Sequence, residues 1–283
     1  MKIAIASDLH IESKYNPRRK KIKRECGGFH ADSHPVLHLM DKNIDVLLVA
    51  GDMGFTRIDT QPTIDKLKEY EGKLYKKLLV IPGNHDYYDP FFEGCKNSKQ
   101  YDSIRAWDGN PDDYNPLKQW RNNIVEWEND NIVFLGTTMW TPITNPSTSY
   151  IIEKSMNDFR LIPHHTIEEA NQLYREESKW LYDKIVEYTN KGKELVIMTH
   201  HSPFPECIHP NYRTGNLSCL NAAYSIIDEK SPFYDFINNT NIKCWVFGHT
   251  HERFEVDVGN IHCICNAVGY YETPTFEYKI IEI

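Results

Sequence analysis

Five short clusters carry side chains able to grip a cation: Asp8-Leu9-His10, Gly51-Asp52, Gly83-Asn84-His85-Asp86, Thr199-His200-His201 and Gly248-His249-Thr250-His251. Each closes an apolar run. Singly they are ordinary, since Asn, Gly and Asp are turn residues and an isolated Asp-x-His reads as a turn carboxylate beside a surface imidazole. Gly83 is expected to tolerate φ > 0 and so to turn the backbone tightly ahead of Asn84. Together the clusters supply carboxylate, imidazole and amide donors, the mixture a two-metal site needs. Two divalent ions ~3.5–4 Å apart clamp the attacking and leaving oxygens of an in-line displacement and acidify bound water towards a pKa of ~7. Hydroxide is then available near neutrality, and no Ser or Cys nucleophile is required. Donors of this kind suit Mn²⁺ first, with Fe, Zn or Ni as alternatives, over Ca²⁺ or an all-thiolate site.

Strands must deliver these clusters. Residues 2–7, 46–50 and 77–81 read as buried strands ending at Asp8, Gly51 and Pro82, with helices expected at 35–42 and 63–70. Strands alternating with helices predict parallel pairing, and ligands in such sheets gather beyond the carboxyl ends of the strands. If the extended backbone persists past Ser7, Asp8 and His10 point the same way. Residues 98–107 and 117–128 read as helical patches, 132–135 as a strand, and 136–165, with Trp140, Pro142, Pro146 and Pro163, as a loop. Thr166 and Glu169 form a capping box that starts the clearest helix. Ile167, Ala170, Tyr174, Leu181, Ile185 and Tyr188 make its apolar stripe, and Gly192 is its expected C-cap. Residues 195–199 and 243–247 are further buried strands, leading into His200 and Gly248. The stretch 202–221, rich in Pro, Asn and His, is a loop over the same edge. Residues 253–258 and 261–267 form a hairpin about Gly259-Asn260, and 277–283 is a last strand. No repeat, linker or composition shift divides the chain, so residues 1–283 are expected to form one domain.

The net charge of −8 offers no general attraction to nucleic acid or anionic membranes, and no apolar stretch approaches the ~20 residues of a membrane span. Met1-Lys2 runs directly into a strand pattern, so no leader is expected. Seven cysteines without a CxxC predict a reduced, cytoplasmic protein. Cys263 and Cys265 share a strand face and read as core. The basic run Arg18-Arg19-Lys20-Lys21-Ile22-Lys23-Arg24 is a solvated loop, or else a rim that draws phosphate-bearing substrates inward.

In this order the clusters resemble the calcineurin-like metallophosphoesterase family, with a match running from residue 8 to 251. The resemblance implies an α/β sandwich of two mixed β-sheets flanked by helices. It implies that Asp8, His10, Asp52 and His251 hold one metal ion, that Asp52, Asn84, His200 and His249 hold the other, and that Asp52 bridges them. A metal-bound hydroxide would attack a phosphomonoester or phosphodiester, a nucleotide included. His85, left out of the ligand sets, would protonate the leaving alcohol, with Asp86 holding its tautomer. His201 either contacts substrate or lines the wall. The substrate pocket is expected from loops around Tyr87, Trp140, Arg160 and Tyr212, with Tyr87 and Arg160 as contacts.

Asn157-Asp158-Phe159-Arg160-Leu161, His200-His201-Ser202-Pro203 and Cys265-Asn266-Ala267-Val268-Gly269-Tyr270 are similar to a small bacterial and phage-type subgroup that carries no assigned substrate. The family's protein Ser/Thr phosphatases continue Gly-Asp with Asp-Arg-Gly, where this chain has Met53-Gly54-Phe55, and have GNHE where it has GNHD. That branch is therefore disfavoured. Two other readings compete. The same fold can serve as a non-catalytic interaction scaffold, which metal-dependent turnover of an aryl phosphate would exclude. A structural zinc domain would have closed tetrahedral sites, which the abundance of carboxylate and amide donors argues against.

Overall fold

The computed structural model describes residues 1–10, 43–54, 60–89, 124–215, 218–226, 231–236, 238–269 and 277–283. The basic run, the expected helices at 35–42 and 98–107, and Tyr270 lie outside them.

Two mixed sheets face each other. The first has the order β10-β1-β2-β3, from β1 (Lys2–Ala6), β2 (Ile44–Ala50), β3 (Tyr75–Ile81) and β10 (Lys279–Glu282). Its first three strands are parallel and β10 runs antiparallel to β1. The second has the order β4-β5-β6-β7-β9-β8, from β4 (Val125–Asn129), β5 (Ile132–Thr137), β6 (Glu194–Thr199), β7 (Ile242–Phe247), β8 (Phe254–Val258) and β9 (Ile261–Cys265). Here β5, β6, β7 and β9 are parallel, and β4 and β8 close the edges antiparallel.

Alternation along each strand sorts side chains between layers. Ile3, Ile5, Val46, Leu48, Leu79 and Ile81 meet Phe134, Val196, Met198, Val246 and Ile264 between the sheets. Leu47 and Val49 face outward with Ile64 and Leu67 of helix α1 (Gln61–Lys68). Such near-continuous apolar strands are expected of parallel sheets covered on both faces. On the far side lies the long helix α4 (Ile167–Asn190), whose Leu181, Ile185 and Tyr188 cover Leu195, Ile197 and Trp245. Its N-cap is the expected one, with Glu169 N–H donating to Thr166 Oγ1 at 3.1 Å. Gly192, at φ +73°, follows its end. Cys263 and Cys265 are buried in this layer.

Two expectations give way. The described end of the 117–128 patch is strand β4, whose Val-Glu-Trp-Glu-Asn pattern alternates with period two, as a half-covered edge strand does. The 136–165 loop contains two helices, α2 (Pro146–Ser155) and the single-turn α3 (Asp158–Leu161). Pro146 reads as a breaker but sits at a helix start, where a missing N–H costs nothing. Asn145 caps it by accepting from Ser147 N and Thr148 N.

The two sheets are sewn together at one end. Ser7 N donates to Asn266 O and Val268 N to Ser7 O, linking the loop after β1 to the loop after β9. Asn266 Nδ2 also donates to Ile5 O at 2.8 Å. At this end the parallel strands of both sheets finish.

Candidate metal centre

Seven of the side chains picked out in the sequence converge at that end. Asp8 and His10 follow β1, Asp52 follows β2, Asn84 follows β3, His200 follows β6, and His249 and His251 follow β7. The extended backbone does not persist through them. Asp8, His10, Asp52, His249 and His251 all have φ between +43° and +67°, a conformation L-residues rarely adopt and one that concentrates at functional sites. Long-range hydrogen bonds hold it: Asp8 N donates to Gly51 O at 2.9 Å, His10 N to Asp52 O at 3.0 Å, and His249 N to Asp8 Oδ1 at 2.9 Å.

Donor atoms of Asp8, His10, Asp52 and His251 lie within 4.8 Å of one another, as do those of Asp52, His200 and His249. His10 Nε2 stands 2.9 Å from His251 Nε2. Asn84 Oδ1 joins the second group, 3.0 Å from His200 Nε2 and 2.9 Å from His249 Nδ1. Asp52 belongs to both. Its Oδ1 is 3.3 Å from His200 Nε2 and its Oδ2 is 3.6 Å from His10 Nε2.

The arrangement fits cations. Asp8 Oδ2, Asp52 Oδ2 and His249 Nε2 are buried without a hydrogen-bond partner among the described residues, which is costly unless something else satisfies them. Burial raises the Asp52 carboxyl pKa, but His200, His85 and His10 outweigh it and hold the group well below the usual carboxylate range. Burial lowers the His200 imidazole, and the neighbouring Asp52 charge more than reverses this, to about 9. His200 Nδ1 is 2.9 Å from Ala50 O. A carbonyl only accepts, so Nδ1 carries a proton in either charge state, and once a cation displaces the second proton the ring offers its Nε2 lone pair inward. Burial pulls His251 down to about 4, in spite of the Asp8 carboxylate. Space is equally tight: a Cβ on Gly83 would stand 2.3 Å from Asp52 Oδ1. Gly83 is extended, at φ −103°, so glycine is required there by this close approach and not by a positive φ.

His85 sits at the rim of the cluster, its ring 4.5 Å from His10 and stacked at 4.2 Å on Tyr88. Its backbone N–H donates to Asp52 Oδ1 at 2.8 Å. Asp86 is not its orienting partner. That carboxylate is buried and accepts from Gly83 N, Met53 N, Gly54 N and Thr60 Oγ1. It ties the turn after β3 to the loop after β2, because the 3-10 turn directs it back into the protein. Burial pushes its pKa up to about 7.

The two expected substrate contacts, Tyr87 and Arg160, take partners within the protein. Tyr87 is buried with its hydroxyl 3.1 Å from Thr138 Oγ1, so its ring is core. Arg160 is exposed and its guanidinium turns back to Asn157 Oδ1. In a single helical turn, positions i and i+2 face apart, and the residue of that stretch facing the centre is Asp158. His201 is buried as wall, against Trp140 at 5.2 Å, and burial lowers it to about 3. Trp140 is also buried, whereas Tyr212 is half exposed.

Asp158 and Tyr88 were not singled out as site residues. The buried Asp158 carboxylate accepts from Asn84 Nδ2 at 2.8 Å and from the Tyr88 hydroxyl. It thereby turns Asn84 Oδ1 towards His200 and His249, while Tyr88 carries the His85 ring. Asp158→Ala is expected to lower activity at limiting Mn²⁺ by roughly 10- to 100-fold, the usual effect of losing an outer partner of a ligand. Excess Mn²⁺ should restore most of it. Activity measured against Mn²⁺ concentration checks this, and an unchanged half-saturation point would remove Asp158 from that role.

The family model of the calcineurin-like phosphoesterases matches residues 1–253. An uncharacterized protein of Acanthamoeba polyphaga mimivirus is 28% identical over 298 residues, covering 98% of this chain and 95% of that protein. Among solved structures, a phosphopantetheinyl hydrolase from Mycobacterium tuberculosis aligns with a TM-score of 0.56 and 15% identity, over 95% of this chain and 89% of that one. A dimetal phosphatase from Danio rerio aligns with a TM-score of 0.51 and 14% identity, over 97% and 89%. At these identities the two structures speak for the fold.

Proposed function

The chain belongs to the calcineurin-like phosphoesterase family, and from that premise we propose that it hydrolyses phosphate monoesters or diesters of small molecules, nucleotides included, with two divalent ions and a histidine general acid. That it is a metal-dependent phosphoesterase follows from the family and the donor groups. In the proposal, Asp8, His10, Asp52 and His251 hold one ion, and Asp52, Asn84, His200 and His249 the other. Mn²⁺ is the first choice, and Fe, Zn or Ni also suit these donors. When bound, such a pair supplies Lewis acidity towards the phosphoryl oxygens and a water acidic enough to act as nucleophile near neutrality.

The observation that carries the reading is Asp52, whose two oxygens face opposite donor groups within one buried cluster. Its charge offsets part of the repulsion between two cations. Asp158 and Ala50 O fix the presentation of Asn84 and His200. His85 stands beside the cluster and gives its imidazolium proton to the alkoxide oxygen as the phosphorus–oxygen ester bond breaks. Residues 1–283 act in this scheme as one domain. Among the described residues no helix is long and apolar enough to cross a membrane.

Mn²⁺-loaded and chelator-stripped protein should be compared on aryl, alkyl and nucleoside mono- and diesters. Turnover of at least one class, lost on stripping and regained with metal, is expected. A protein that binds two ions yet hydrolyses none of the panel would instead be a scaffold built on this fold.

A further inference from the structure

A cavity of about 520 Å³ opens directly against His249 and His251. Its other walls come from the irregular segment after β6, chiefly Tyr212, Asn221 and Tyr224. The Tyr224 ring lies 4.6 Å from the His249 ring, tilted by 41°, so one face of the cavity is continuous with the metal centre. The walls are braced. Tyr212 donates its hydroxyl to Glu252 Oε1 at 2.9 Å, and its carbonyl accepts from Asn221 Nδ2 at 3.0 Å.

Among the described residues, no Lys, Arg, Asp or Glu lines this cavity. The cation nearest in sequence, Arg213, is committed to the backbone, donating to Ile208 O at 2.8 Å and Glu206 O at 2.7 Å. A second phosphate or a carboxylate entering here would lose water and gain no counter-charge from the described lining residues, which is unfavourable. Phenol faces and side-chain amides offer stacking and edge hydrogen bonds instead, a combination that suits a planar heterocycle. The volume falls within the ~300–1,000 Å³ usual for small-molecule sites.

Resting on the hydrolytic reading above, we propose that this cavity is the specificity pocket for the alcohol portion of the ester, and that it takes an uncharged aromatic group of nucleoside type rather than a second anionic group. Tyr212 and Tyr224 supply the stacking surface. The reacting phosphate then lies on the His249 and His251 side.

The test joins a binding measurement to kinetics. Adenosine, which has no phosphate, is titrated calorimetrically into the Mn²⁺-loaded wild type, Tyr212→Ala and Tyr224→Ala. The same three proteins are assayed on adenosine 5′-monophosphate, glycerol phosphate and pyrophosphate. The Tyr212 residue is 49% exposed, so its truncation leaves a folded protein even if Tyr224→Ala does not. Adenosine should bind the wild type and weaken about tenfold or more in each variant, within the range of base–aromatic stacking. In wild type, kcat/KM should fall in the order adenosine monophosphate, glycerol phosphate, pyrophosphate. The variants should raise KM for the nucleotide by a larger factor than for glycerol phosphate. Pyrophosphate used as well as the nucleotide, or equal losses on both esters, would overturn the pocket. Ester hydrolysis without adenosine binding would overturn it too, while leaving the hydrolytic reading intact. Adenosine binding through the tyrosines with no ester hydrolysed would sustain the pocket and sink the hydrolytic reading.

Discussion

Asp52→Asn is expected to abolish hydrolysis for practical purposes while leaving the fold in place. Asparagine matches aspartate in shape, and its carbonyl oxygen can still accept the His85 backbone N–H that Asp52 Oδ1 accepts at 2.8 Å. What disappears is the charge shared between the two donor groups. In addition, an NH₂ must now face either His10 or His200, whose Nε2 atoms stand 3.6 and 3.3 Å from the carboxylate. A divalent clamp contributes several kcal/mol of transition-state stabilisation, and at ~1.36 kcal/mol per tenfold its loss amounts to roughly 10³-fold or more. Metal analysis of the purified variant should find fewer than two ions, and initial rates should fall accordingly. His251→Ala makes the contrast: it should mainly weaken the group shared with Asp8 and His10. An Asp52→Asn protein that kept two tightly held ions and full activity would rule out bridging.

His85→Ala is expected to separate chemistry from metal binding. His85 lies outside both donor groups, and its ring is positioned by Tyr88 from one side and His10 from the other. General acid catalysis typically contributes ~10²–10⁴-fold. It matters most where the departing alkoxide is a strong base. The variant should therefore retain its metal content, lose most activity on alkyl and nucleoside esters, and lose less on activated aryl esters. Plotting log kcat/KM against the pKa of the leaving alcohol gives the readout: the slope should steepen in the variant. Equal losses across the series with metal intact would mean that His85 positions the phosphate. Loss of metal would move it into the ligand shell.

The two experiments probe residues that were legible in different ways. Asp52 and the other six donors could be read because each follows an apolar run, and the carboxyl ends of parallel strands are brought to one edge by the sheet itself. His85 could be named for the same reason, as the neighbour of Asn84. Asp86 was misread because adjacency in sequence says nothing about direction within a 3-10 turn. Its carboxylate goes to Gly83, Met53 and Thr60, not to the imidazole beside it. Tyr87 and Arg160 likewise turn to partners within the protein, one buried against Thr138 and the other directed to Asn157. Asp158 lies inside the Asn157-Asp158-Phe159-Arg160-Leu161 stretch. Its contact with Asn84 spans 74 positions, and no local pattern reports such a distance.

Beyond the reaction class, which the family resemblance implied, the sequence by itself determined the donor chemistry, the strands that carry the donors and the long helix with its Thr166 cap. These depend on side-chain type and on periodicities of two and 3.6 residues, which are local properties. Only the tertiary structure decided that β10 pairs with β1 and that β9 lies between β7 and β8. It also decided that five of the donors take left-handed backbone angles and that Tyr212, Asn221 and Tyr224 wall a cavity free of charged side chains among the described residues. The physical reason is common to all of these. A positive φ at Asp8 or His249 is unfavourable on its own, and it persists because hydrogen bonds from remote segments, Asp8 N to Gly51 O and His249 N to Asp8 Oδ1, impose it.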